Sequence, residues 1–194
     1  MKLKKLATVF KRNKRAIIFD RTVDGAVVAQ YVSDGAALYP LEGLPVLDRE
    51  SLLTIFDVEA EKRADWNVSQ READFYTMNP LDIDETEWPI VHTFPPVVYN
   101  GKQLMLCDIG GGEMLIFDPR YISPVKTGEE EYYVRKSRSG IRYLTVKDGL
   151  ITTATIMPIS FTGDKLEQFA SEIYCLADRL RKMIANEHAE QLEL

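Results

Sequence analysis

The stretch RAIIFDRTVDGAVVAQYVSDGAALYP (residues 15–40) holds three short runs rich in Val, Ile, Tyr and Phe, divided by Asp24-Gly25 and Asp34-Gly35. Asp-Gly pairs accept positive φ at little steric cost, so they close tight turns. Apolar, β-branched runs between such turns read as strands. A three-stranded meander is therefore predicted, with antiparallel pairing because the connections are too short for a crossover.

On the N-terminal side, Leu3, Leu6, Ala7 and Phe10 follow an i, i+3, i+4, i+7 pattern. That spacing predicts an amphipathic helix over 2–12, part of a basic segment at 1–14. Its cations cluster at the C-terminal end, where the helix dipole favours them, and Asn13 is the expected cap.

Beyond the meander, YPLEGLPVLDRES breaks the sheet pattern with two prolines and a glycine. Asp48 is placed to cap a helix through Leu52, Leu53, Ile55 and Phe56. A second short helix is expected at about 59–64. A third is expected at 70–77, because Ser69-Gln70-Arg71-Glu72 has the form of a capping box. Residues 79–96 carry four prolines and read as an irregular loop anchored by Trp88 and Ile90.

The β pattern returns at Tyr99-Asn100-Gly101-Lys102, the clearest hairpin turn of the chain. Strands are expected at 102–109 and 113–118 around Gly110-Gly111-Gly112, then at 131–136, 141–147 and 150–157. From residue 163, Leu166, Phe169, Ile173, Leu176, Leu180 and Met183 recur at helical spacing, which predicts a long C-terminal helix with a fraying tail at 187–194. The fold class expected is α+β, one domain over 1–194. Its sheet is mainly antiparallel and built from hairpins, with short helices in the first half and the long helix packed on the sheet.

At 194 residues, with 45% apolar and 28% charged side chains, the chain can bury a core and is not expected to be disordered. No run of about 18 apolar residues spans a membrane, and LATVF before KRNKR is too short for the core of an export signal. The two cysteines, Cys107 and Cys175, sit in apolar patterns and read as buried free thiols. A count of two excludes a disulfide framework and suggests a reducing, cytoplasmic setting.

Charge is unevenly placed. Residues 1–15 hold seven Lys/Arg and no acid, which leaves 17 of the 24 basic residues against all 30 acids in the remainder. A basic arm on an acidic body implies contact with something negative, either a partner or the body itself. Lys126, Arg135, Lys136, Arg138, Arg142 and Lys147 form a second basic group with Tyr132, Tyr133 and Tyr143 between them. Such a face can bind single-stranded nucleic acid, but an alternating solvent face guarding a sheet edge is the plainer reading. The candidate contacts for an anionic partner are Lys11, Arg12, Lys14, Arg15, Arg135, Arg138 and Arg142.

No motif names a reaction. Gly110-Gly111-Gly112 lacks the Lys-Ser/Thr of a nucleotide loop and is flanked by acids. Asp82, Asp84, Glu85 and Glu87 lack the glycine that a calcium loop requires at its sixth position, so a solvated acidic loop is expected. His92 and His188 have no metal-ligand spacing. A site from scattered residues such as Asp108, His92 and Tyr99 can be assembled only in space. No catalytic residue, cofactor or metal ligand is assigned.

The phrases QYVSDGAALYPLEGLPVLD and SLLTIFDV, with YYVRKSRSGIRYLTVKDGLITTATIMPI, resemble uncharacterised proteins encoded in prophage regions of Firmicutes genomes. The resemblance implies a phage-related or accessory role, in the host cytoplasm or the virion, and no reaction. The function expected is a non-enzymatic assembly or protein-interaction protein that self-associates or binds a protein. The alternatives are a nucleic-acid-binding accessory protein using the N-terminal helix and the 135–142 hairpin, and an enzyme whose site no motif reveals.

Overall fold

A computed structural model describes residues 2–161, 167–173 and 175. The chain divides into two compact units, residues 1–159 and 160–194. The first is α+β with mainly antiparallel sheets.

Helix α1 (Leu3–Asn13) buries Leu6, Ala7 and Phe10. Its end differs in detail from expectation. Lys14, not Asn13, takes the left-handed conformation (φ 46°), and its amide donates to the Phe10 carbonyl. The Asn13 side chain is engaged elsewhere: it donates to Asp34 at 3.1 Å.

Strands β1 (Arg15–Val23), β2 (Ala26–Ser33) and β3 (Ala37–Pro40) form the meander, with Asp24 and Gly25 both at positive φ in the first turn. Helix α2 (Arg49–Ile55) is capped by Asp48, which accepts from the Ser51 amide at 2.8 Å. A 3-10 turn occupies Ala60–Asp65.

The third helix does not form. Asn67–Glu72 is strand β4, paired parallel with β1 from Arg15↔Asn67 to Asp20↔Glu72. The apparent capping box is spent across strands. The Glu72 carboxylate accepts from the Thr22 amide and hydroxyl, and Gln70 donates to Asp20. An open edge on β1 offers a row of backbone partners, and completing it outweighs one helical cap.

Strands β5 (Trp88–Pro89) and β6 (His92–Thr93) are short, and Ile90 donates to the Tyr132 carbonyl beside them. They are followed by β7 (Val97–Tyr99), β8 (Lys102–Gly110) and β9 (Glu113–Phe117), then β10 (Glu131–Lys136), β11 (Arg142–Asp148) and β12 (Ile151–Ile156). One sheet runs β4-β1-β2-β3-β12-β11-β10-β5. The N-terminal meander and the β10–β12 meander join edge to edge through Leu38↔Thr155 and Ala37↔Ile156. A smaller sheet has β8 at its centre, paired with β6, β7 and β9.

Both sheets feed one core. Phe10 from α1 and Leu52 and Leu53 from α2 meet Ile18, Val32, Tyr39, Leu144, Val146 and Ile156 of the large sheet. Met105, Cys107 and Phe117 come from the small one. Phe10 lies 5.3 Å from Phe56 and 6.2 Å from Tyr39, centroid to centroid, at the middle of this aromatic packing.

In the second unit residues 167–173 are helical, and Phe161 stacks on Phe169 at 4.9 Å. The remainder of the expected long helix and the 187–194 tail lie outside the described residues. The cysteines divide: Cys107 is fully buried, and burial pushes its thiol up to about 12, whereas Cys175 is exposed, contrary to expectation. Among the described residues no helix is long and apolar enough to cross a membrane.

Candidate anion-binding cleft

On α1, Lys5, Thr8, Val9 and Arg12 stand at i, i+3, i+4, i+7, on a different face from Leu6, Ala7 and Phe10. This face forms one wall of a cleft of ≈ 400 Å³. The opposite wall is Lys102 at the start of β8 together with Arg120, Tyr121 and Ser123, from the 3-10 turn Pro119–Tyr121 and the residues after it. Lys2 ties the two walls: its amide donates to the Pro124 carbonyl at 2.7 Å and its ammonium to the Lys126 carbonyl at 2.6 Å.

Behind the cleft sit two buried carboxylates. Asp34 accepts four hydrogen bonds, from the Ala36 and Ala37 amides, the Asn13 side chain and the Tyr121 hydroxyl at 2.9 Å. Tyr121 in turn accepts from Tyr39 at its carbonyl, so the cleft floor is tied to the core. Burial raises the Tyr121 hydroxyl well above its usual range, and the charge of Asp34 adds to this. Asp118 accepts from the Arg120 amide, and the Arg120 guanidinium forks onto it, with Nε 2.8 Å from Oδ1. Asp118 therefore fixes the Arg120 side chain; burial pushes its carboxyl up, and the charges of Arg12 and Lys102 pull against that.

Lys5, Arg12 and Lys102 are exposed and make no ion pair among the described residues. Among the described residues no acidic side chain lines the cleft. Three cations without an ion pair, two of them near enough to the buried Asp118 to feel its charge, stand beside a fourth held rigid, and the concave site keeps a positive balance. Charge of one sign in a cleft with low-dielectric walls concentrates counter-ions.

The other expected contact residues are dispersed. Lys11 donates to the Asp57 carbonyl and Lys14 pairs with Asp65 at 2.8 Å, so both brace α1 against its own domain. Arg15 is exposed on β1. Arg135 is corrected outright. It is fully buried, donating to the carbonyls of Asn79, Leu81 and Asp82 and lying 2.6 Å from Glu87, so it can touch no outside partner. Arg142 pairs with Glu113, and Arg138 is exposed with no ion pair among the described residues.

The expected solvated acidic loop is exposed at Asp82 and Glu85, but it also serves as a strap. Asp82 accepts from the Thr152 amide, and Asp84 from Asn79 and Thr86. Glu87 takes both Arg135 and Lys147. The β10–β11 face with Arg135, Tyr143, Thr145 and Lys147 points away from the main core and reads as solvent-facing. The strap covers it instead.

His92 and Asp108 are partners across β6 and β8, but no hydrogen bond joins their side chains. Asp108 accepts from the Gly110 amide, and His92 stands edge-on to Phe94 at 4.8 Å. Tyr99 lies near the opposite end of β8, paired with Lys102. These three residues do not converge.

The cleft residues Lys5, Lys102 and Arg120 escape sequence reasoning. The helical stripe Lys5-Thr8-Val9-Arg12 is a legible signal; the other wall is brought to it only by the fold. Comparison with protein-family models, with characterised proteins and with solved structures returns no match.

Proposed function

We propose that this chain is a non-enzymatic interaction protein that recognises an anionic group on a protein partner through the cleft between α1 and the 119–123 segment. The observation that carries this reading is the convergence of Lys5, Arg12 and Lys102, unpaired among the described residues, on one concavity whose floor is fixed by Asp34, Asp118 and Tyr121. Long cationic side chains cost entropy to order, and a rigid floor lowers that cost before a ligand arrives. The resemblance to prophage-encoded proteins fits such an accessory role.

A protein partner is favoured over nucleic acid on three grounds. The cleft is compact, whereas a strand-binding groove tracks several phosphates. The 135–142 hairpin loses one of its cations, Arg135, to the interior. The chain as a whole carries a net charge of −6, which opposes a polyanion.

The test is fluorescence anisotropy with acidic peptides, phosphopeptides and single- and double-stranded DNA, at low salt and at ~200 mM salt. Anionic peptides are expected to bind wild type and to lose binding in Arg12→Glu/Lys102→Glu. If no anionic peptide binds at low salt, or the charge reversal leaves binding intact, the reading is wrong. DNA binding tighter than any peptide would transfer the site to nucleic acid.

A further inference from the structure

We infer that the group the cleft selects is a phosphomonoester dianion. This rests on the reading of the cleft as an anion site and concerns its selectivity.

Charge balance is the first argument. Among the described residues four basic side chains line the cleft, and the two buried carboxylates behind them are Asp118, paired with Arg120 and near enough to feel Arg12 and Lys102, and Asp34. Four cations less two carboxylates leave two positive charges. A carboxylate or a sulfate ester brings one negative charge to this balance; a phosphomonoester brings about −1.5 to −2 at neutral pH and so comes closer to meeting it.

Donor number is the second. Arg12 presents a planar fork suited to two oxygens of one group, and the ammonium groups of Lys5 and Lys102 supply further donors. Ser123 adds a hydroxyl on the opposite wall. Thr8 is not counted as a donor, because its hydroxyl already donates to the Lys4 carbonyl at 2.9 Å. A phosphoryl group has three terminal oxygens with which to use this set, and a carboxylate has two.

Shape is the third. At ≈ 400 Å³ the cleft falls in the range of small-molecule sites, which has room for more than an ion. Val9 and Tyr121 supply its apolar surface, where the ring or chain bearing the phosphate can rest. Asp118 and Asp34 lie behind the cations. They set a polarity from the negative floor to the positive mouth, so the dianion belongs at the mouth.

The same chemistry can be carried by a phosphorylated side chain or by a free metabolite, and the experiment separates the two. Isothermal titration of the full chain at low salt would compare phenyl phosphate with phenyl sulfate and benzoate. The sulfate keeps the tetrahedral shape with one charge less, and benzoate changes both. Phenyl phosphate is expected to bind at least ~10-fold more tightly than either, a difference of about 1.4 kcal/mol. Arg12→Gln and Lys102→Gln should each remove most of that preference. Arg138→Gln, at an exposed position outside the cleft, should leave it unchanged. A second arm uses phosphotyrosine and phosphoserine peptides. Tighter binding of a peptide than of phenyl phosphate assigns the phosphate to a protein partner, and the reverse assigns it to a small molecule. Equal binding of the three aryl anions, still abolished by the variants, overturns the selectivity and leaves the anion cleft standing. Absence of binding by all three overturns the selectivity as well, and the acidic peptides then decide the cleft itself.

Discussion

The N-terminal helix and the 131–147 hairpin carry similar densities of Lys and Arg, and the fold treats them in opposite ways. In the hairpin, Arg135 and Lys147 are driven inward and closed over by the 79–87 strap, with every charge matched by Glu87, backbone carbonyls or the Tyr133 ring. On α1, Lys5 and Arg12 face a cleft with no acid in its lining among the described residues. Buried cations stabilise only as part of a complete network, because an unmatched buried charge is costly. Cations at a cleft cost little to leave unmatched, since water solvates them. The positive charge of Arg135 and Lys147 therefore serves structure, and that of Lys5 and Arg12 is available for a ligand.

The sharpest way to break this contrast is to remove one partner from the strap network. Glu87→Gln leaves Arg135 and Lys147 buried against a neutral amide. A loss on the order of 3–5 kcal/mol in chemical denaturation is expected. A loss below about 1 kcal/mol would mean that the strap is solvated after all. Removing Asp34 should rank next. Asp34→Ala strands the Tyr121 hydroxyl, the Asn13 amide and two backbone amides, with an expected cost of about 1–3 kcal/mol and weaker anion binding through a loosened floor.

Acid should open the strap and spare the cleft. Burial disfavours the charged form of Asp84, but hydrogen bonds from Thr86 and Asn79 and the nearby Arg135 outweigh it and hold the carboxyl below its usual range. A lowered folded pKa contributes stability above the unfolded value, and that stability is lost as pH falls through the folded one. Amide exchange at 79–87, corrected for its intrinsic pH dependence, should therefore gain rate on acidification before exchange in α1 does. A uniform gain across both regions would contradict this.

The smallest stability effect is expected at the cleft. Lys5→Gln, Arg12→Gln and Lys102→Gln should each change stability by no more than ~0.5 kcal/mol, because no ion pair among the described residues is lost. Asymmetry between large and negligible costs for residues of the same charge is the signature of the two roles.

Much of the fold was legible because local signals agreed with tertiary ones. Asp24-Gly25, Asn100-Gly101 and Asp148-Gly149 mark turns that any sheet would use, and Leu6, Ala7 and Phe10 mark the buried stripe of α1. Sequence reading failed where a distant partner outbid a local preference. Ser69 to Glu72 look like a helix start, yet the open edge of β1 claims them as a strand. Arg135 looks solvent-facing by alternation, yet a proline-bounded segment about fifty residues earlier folds over it. The cleft was half legible. Arg12 belongs to the charged arm, but its company of Lys102 and Arg120 depends on the small sheet meeting α1, which no spacing records.

The most direct measurement is a paired one on Arg12→Gln/Lys102→Gln: denaturation midpoint and phenyl phosphate affinity in the same buffer. An unchanged midpoint with affinity reduced at least ~10-fold is the predicted result. Unchanged affinity, or affinity lost only in step with stability, would contradict a role for these cations in binding.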